Sequence, residues 1–218
     1  MNKPFSQACE NNKQPILNVL TTVFNNSQHV LEIGSGTGQH AVFFAKHLPH
    51  LTWQTSDLAI NHQGINAWLN ESTLTNVLPP IAVDLNDTWP ISTLSKSNAK
   101  SQSQSHKSQQ QQLLPFDGLY TANTLHIISW PLVIKFFEGI AEIMGSQARI
   151  CIYGPFNYQG EFTSPSNANF DLWLKDRDSQ SGIRDIEAIL ALADAAGLDF
   201  IADHGMPANN RLLVFSKR

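Results

Sequence analysis

The chemistry of this chain begins at Glu32-Ile33-Gly34-Ser35-Gly36-Thr37-Gly38, where an acidic residue and three alternating glycines follow the apolar run that starts at His29. A strand, a glycine turn and a helix set backbone N–H groups and the positive end of a helix where an anionic or polar ligand group can approach. The glycines let that ligand come close. Glu32, immediately before the turn, would repel a pyrophosphate and attract an ammonium or sulfonium group.

Spacing separates this turn from two better-known nucleotide loops. A dinucleotide fingerprint reads G-x-G-x-x-G, and a phosphate-binding loop ends in Gly-Lys-Ser/Thr; neither occurs here. Glu32, Gly34, Ser35, Gly36 and Gly38 are therefore candidate contacts for S-adenosylmethionine rather than for NAD. An ordinary strand-to-helix turn in an unrelated α/β protein is the competing reading.

Composition narrows the classes. A 218-residue chain that is 42% hydrophobic and 15% charged is long enough for one domain with a substantial core, and nothing suggests a second. The net charge of -4 and the lack of a Lys/Arg cluster disfavour a nucleic-acid partner, whose phosphates need several cations. No apolar run approaches the ~20 residues that span a bilayer, and the N-terminus lacks a secretory signal, so a cytoplasmic location without membrane insertion is expected. Cys9 and Cys151 show no C-x-x-C spacing. They read as a near-surface thiol and a buried strand residue, with no disulfide and no metal.

The elements that would position the turn follow from periodicity. Ile16, Leu17, Leu20, Val23 and Phe24 recur at helical spacing and predict a helix over 12–25. Strand 29–33, helix 38–47, strand 51–55, helix 61–70 and strand 81–83 come next, an alternation that implies a parallel sheet. Residues 92–112, rich in Ser and Gln, read as a disordered insertion. Strand 116–122, helix 131–144, strand 148–153, helix 185–196 and strands 198–204 and 211–216 restore the rhythm and end it in a hairpin.

This pattern resembles the Rossmann-like class I S-adenosylmethionine-dependent methyltransferases, an α/β sandwich around a mostly parallel seven-stranded sheet with a C-terminal antiparallel hairpin. Ala8 to Ile16, Leu31 to His40, Tyr153-Gly154-Pro155-Phe156, Thr163 to Asn167 and Met206 to Phe215 look more closely like the methyltransferase-like 26 group. That resemblance implies cofactor and architecture more than reaction, because the group carries no assigned substrate. Gln7 and Asn11 stand where the pattern has proline and arginine, which leaves Lys13 as the local cation for the cofactor.

The resemblance also implies roles downstream. Asp57, nineteen residues beyond Gly38, matches the acid that holds the ribose hydroxyls; a helix N-cap is the alternative. Asp84 resembles the acceptor for the adenine amino group, with Leu85 beside the ring, although a turn aspartate fits as well. Asn123, Thr124 and His126 follow the fourth strand, at the carboxyl edge where open α/β sheets bind ligands. Asn123 is a cofactor candidate. His126 is the general-base candidate, and a structural histidine is equally consistent. Tyr153, Phe156, Asn157, Ser166 and Asn167 belong to a long mixed connection read as a substrate lid.

No Asn/Asp-Pro-Pro-aromatic sequence follows the fourth strand, and no Pro-Cys nucleophile occurs. The expected activity is methyl transfer to a small molecule or a protein side chain. A cofactor-binding module without catalysis is the alternative, and a nucleotide-sugar or NAD enzyme on a similar sheet is the third reading, weakened by Glu32.

Overall fold

Strands with apolar residues on both faces need cover on both sides, and the helices between them supply it. The computed structural model describes residues 3–90 and 116–218, and the insertion expected at 92–112 lies outside them. Along the chain run α1 (Gln7–Val23), β1 (His29–Ile33), α2 (Gln39–His47), β2 (Thr52–Asp57), α3 (His62–Ser72) and β3 (Val77–Ala82). Then come β4 (Gly118–Ala122), α4 (Trp130–Ile143), β5 (Arg149–Gly154), β6 (Phe156–Asn157), α5 (Pro165–Arg177) and β7 (Arg184–Asp185). α6 (Ile186–Ala195), β8 (Leu198–Met206) and β9 (Asn210–Lys217) end it. Among the described residues no helix is long and apolar enough to cross a membrane.

The main sheet is ordered β3-β2-β1-β4-β5-β9-β8. Strands β1 to β5 pair in parallel, and β9 runs antiparallel to both β5 and β8. This is the Rossmann-like methyltransferase sandwich, with its antiparallel C-terminal hairpin. The chain leaves β1 toward β2 and β3 and returns to β4 on the other side, so the crevice above β1 and β4 is the topological switch point.

Period-two alternation sends Leu31 and Ile33 into one core, with Phe136, Phe137, Ile150, Ile152 and Phe215. Val30 faces the other, with Ile16, Leu20, Phe44, Trp53 and Tyr120. The same alternation puts Glu32 on the Val30 face, beside Trp53 and Tyr120, which is why a carboxylate ends up inside.

Three elements differ from expectation. Helix α1 begins at Gln7 rather than 12, because Ser6 caps it by accepting from Cys9 N at 3.3 Å, and Pro15 is carried inside. Strand β3 begins at Val77 in spite of Pro79 and Pro80; it lies at the edge of the sheet, and Gln54 Nε2 and Thr55 Oγ1 donate to the Pro79 and Leu78 carbonyls across an irregular register. Helix α5 replaces what reads as a polar lid. It has almost no apolar stripe, burying only Asn167, Asp171 and Leu174, so periodicity does not reveal it.

Gly139 in α4 is held to glycine by packing: a Cβ there would stand 2.5 Å from Trp89 Cζ2 and 2.9 Å from Cδ2. Alanine gains about 1 kcal/mol of helix propensity, whereas forcing a buried indole aside costs about 3 kcal/mol. Gly139→Ala is expected to destabilise the protein by about 2 kcal/mol, read as a lower urea midpoint.

Candidate functional site

The glycine turn leaves β1 at the switch point with Gly34, Gly36 and Gly38 at φ of +74°, +57° and +87°. All three lie in the left-handed region, which L side chains adopt only under strain. Four of the turn's amides are satisfied by the protein itself. Gly34 N and Ser35 N both donate to the Ser56 carbonyl, Gly36 N donates to Asp57 Oδ2 at 2.7 Å, and Gly38 N donates to Ser35 O. This corrects the expectation of a ready anion cradle: these donors are already engaged by β2 and by the turn itself. A Cβ added at Gly36 would meet nothing within 4 Å, so the face of the turn opens onto free space.

Asp57 borders that opening, and Glu32 lies buried behind the turn. Asp57 ends β2, with Oδ1 accepting from Leu58 N and Asn61 Nδ2, both at 2.7 Å, and Oδ2 accepting from Gly36 N. Glu32 is buried; its Oε2 accepts from Ser35 Oγ at 2.9 Å and from Trp53 Nε1 at 3.1 Å. Burial outweighs those two bonds and, with the nearby Asp57 charge, pushes the Glu32 carboxyl up to about 7. A diol fits the remaining capacity of Asp57, and a cation fits Glu32. The donor set is wrong for a pyrophosphate, whose charges both acids would oppose.

Helix α1 closes the side of the turn through polar contacts that sequence reasoning missed. Gln39, at the start of α2, donates to Glu10 Oε1 at 3.0 Å, and Ser6 N donates to Gln39 Oε1. Asn12, inside α1, meets His40 Nε2 at 2.7 Å, and the Tyr120 hydroxyl lies 3.3 Å from His40 Nδ1. Burial drives the His40 pKa down to about 4. Lys13, the cation expected at the cofactor, is turned onto Glu10 and holds that carboxyl below its ordinary range. The sequence signal was present, since Glu10, Asn12 and Lys13 share one helix, but the partners lie a long way along the chain.

Beyond β3, the neighbour of β2, Asp84 is exposed and its Oδ1 accepts from Asn86 N at 2.8 Å, while Leu85 packs partly against the core. Asn123 follows β4 at a φ of +56° and donates its amide to Tyr153 O. His126 is buried against Gly154, where a Cβ would stand 3.4 Å from its Nδ1, and meets the Phe170 ring edge-on at 5.5 Å. Burial, helped by the Arg184 charge, lowers its pKa to about 4. Arg184 holds this segment, donating to Leu125 O at 3.0 Å and Ile128 O at 2.6 Å.

The expected substrate residues separate. Phe156 joins the first core at 1% exposure, a packing residue rather than a lid contact. Tyr153 is buried on the α1 side of the sheet, bonded to Asn12 and Asn210. Asn167 Nδ2 donates to Thr163 Oγ1 and Asn209 O, and Ser166 Oγ accepts from Asn209 Nδ2, so this pair fastens α5 to the β8–β9 turn. Asn157 is buried, and among the described residues its Oδ1 has no hydrogen-bond partner.

Solved structures share this fold at low identity. An O-methyltransferase family protein from Burkholderia thailandensis superposes with a TM-score of 0.73 at 16% identity, covering 94% of this chain and 56% of its own. An O-methyltransferase family 2 protein from Planctomyces limnophilus, in complex with apigenin, gives 0.73 at 16%, covering 97% and 58%. Human N-acetylserotonin methyltransferase in complex with S-adenosylmethionine gives 0.67 at 14%, covering 94% and 54%. The chain thus spans little more than half the length of these proteins. Residues 3–217 match a family described as "Protein of unknown function (DUF938)". The chain belongs to that family, here built on a Rossmann-like methyltransferase sandwich.

Proposed function

We propose that this protein is an S-adenosylmethionine-dependent methyltransferase of the methyltransferase-like 26 kind, acting as a single unit on a small-molecule acceptor. The observation that carries it is the glycine turn, open at Gly36, with Asp57 bonded to its amide and Glu32 buried behind it. Asp57 would hold the ribose hydroxyls, Glu32 the cationic end, and Asp84 the adenine amino group, with exposed Leu58 and Ile60 and half-buried Leu85 flanking the ring. The bound cofactor supplies an activated methyl group on a sulfonium.

The chain's own task is then alignment and exclusion of water. His126, neutral at pH 7, is in the form that accepts a proton, and its low basicity restricts it to acceptors that turn acidic as the bond forms. The same burial favours a second reading, a cofactor-binding module in which His126 only packs.

Calorimetry with S-adenosylmethionine and S-adenosylhomocysteine is expected to show micromolar binding by the wild type; a folded protein that binds neither overturns the assignment. His126→Asn is expected to leave both affinities within about twofold while lowering methylation of any acceptor found by ~100-fold. Binding without methylation across small-molecule extracts would favour the module.

A further inference from the structure

Strands β6 and β7 pair in parallel, with Asn157 opposite Asp185 on one face and Phe156 opposite Arg184 on the other. Asn157 Oδ1 and Asp185 Oδ1 are both shielded from solvent, and among the described residues neither accepts a hydrogen bond. Asn157 is 8% exposed, and Asp185, half-buried, is the member of the pair nearer the surface. Asp185 is also the N-cap residue of α6, yet its side chain makes no capping bond. Its neighbour Arg184 makes no ion pair with it and donates instead to the carbonyls of Leu125, Ile128 and Gln180. Among the described residues Asp185 takes part in no ion pair.

Two buried acceptors side by side, one a carboxylate, cost free energy until donors reach them. An ammonium group carries three N–H donors and the opposite charge; a hydroxyl has one donor and no charge. The pair lies beside the groups that hold the His126 segment: Arg184 adjoins Asp185, and Gly182 N donates to His126 O at 2.9 Å.

We propose that Asn157 and Asp185 form a recognition site for a protonated amine on the methyl acceptor, a reading that rests on the methyltransferase assignment above. The pair binds the amine as an anchor, and the methylated atom is elsewhere on the same molecule. Holding two unsatisfied acceptors in the free protein is the cost of that selectivity.

The test titrates full-length wild type and Asp185→Asn with S-adenosylhomocysteine and then, with and without it, with 2-phenylethylamine and 2-phenylethanol as probes. The phenyl ring is chosen for the Phe170–Trp173 stack beside His126, with ring centroids 5.7 Å apart. The amine is expected to bind the wild type at least ~10-fold more tightly than the alcohol, and Asp185→Asn to erase that preference. In the free protein Asp185→Asn is expected to raise the Tm by about 3 °C, because the new amide donates to Asn157 Oδ1.

Equal binding of the two probes, or a lower Tm in the variant as a water-bridged structural pair would give, overturns the amine site. The S-adenosylhomocysteine titration separates the two readings. Cofactor binding without an amine preference sinks the amine site alone, and an amine preference without cofactor binding sinks the methyltransferase assignment alone.

Discussion

Asp57→Ala is expected to lose S-adenosylmethionine binding by more than ~100-fold and to destabilise the protein by about 3 kcal/mol. The two effects have separate causes. The carboxylate accepts from Gly36 N, Leu58 N and Asn61 Nδ2, so its removal leaves three donors at the lip of the turn without an acceptor. Each charge-assisted bond contributes about 1.5–3 kcal/mol, and water reaching the opened lip returns part of the sum. The binding loss follows from the proposed grip on the ribose diol. Gly36→Val distinguishes the causes: its Cβ meets nothing, left-handed backbone strain costs about 1–3 kcal/mol, and the added side chain fills the opening without removing an acceptor. Calorimetry and urea unfolding on both variants check the pair. An Asp57→Ala protein that binds the cofactor like wild type would remove Asp57 from the site.

Glu32→Gln is expected to change how stability depends on pH. Three buried groups set that dependence. Burial lowers the pKa of His40 and of His126 from 6.5 to about 4, so the unfolded chain takes up two protons that the folded chain refuses. Stability from these groups is complete above pH 6.5 and is lost as the pH falls toward 4. Burial raises Glu32 from 4.5 to about 7, so the folded chain holds one proton that the unfolded chain has released. That contribution is complete below pH 4.5 and is lost as the pH rises through 7.

Between pH 4.5 and 6.5 the difference is one proton more in the unfolded state. These groups therefore make stability rise by about 1.4 kcal/mol per pH unit. Glu32→Gln keeps an acceptor for Ser35 Oγ and Trp53 Nε1 but removes the titration, so the slope doubles to about 2.7 kcal/mol per pH unit. Near pH 8 the variant avoids a buried charge that costs the wild type about 3 kcal/mol and is the more stable protein, although it loses the charge proposed to meet the sulfonium. Urea unfolding from about pH 4.5 to 8 measures both limbs. Parallel profiles for variant and wild type would show that Glu32 does not titrate in this window.

The sequence by itself determined the parts that are local. The alternation of strands and helices, the glycine turn after Glu32, and the aspartate at the end of the second strand are written in consecutive residues, because hydrophobic period and turn chemistry act over a few positions. Boundaries failed where a tertiary partner outweighed the local signal. Pro79 and Pro80 look like an end of strand until β3 is seen at the edge of the sheet, bonded by Gln54 and Thr55. Helix α5 has no apolar stripe because Asp171 accepts from Ile183 N and Lys175 Nζ, and Asn167 fastens it to Asn209.

Only the tertiary structure decided what the candidate residues do to one another. Glu32 is raised toward neutral because burial outweighs its hydrogen bonds from Trp53 and Ser35, and Lys13 pairs with Glu10. Asn157 and Asp185, 28 positions apart, become a pair through two short strands that no periodicity announces. Charge, burial and hydrogen bonding depend on which surfaces meet, and that is set by the packing of the whole sheet rather than by any window of the chain.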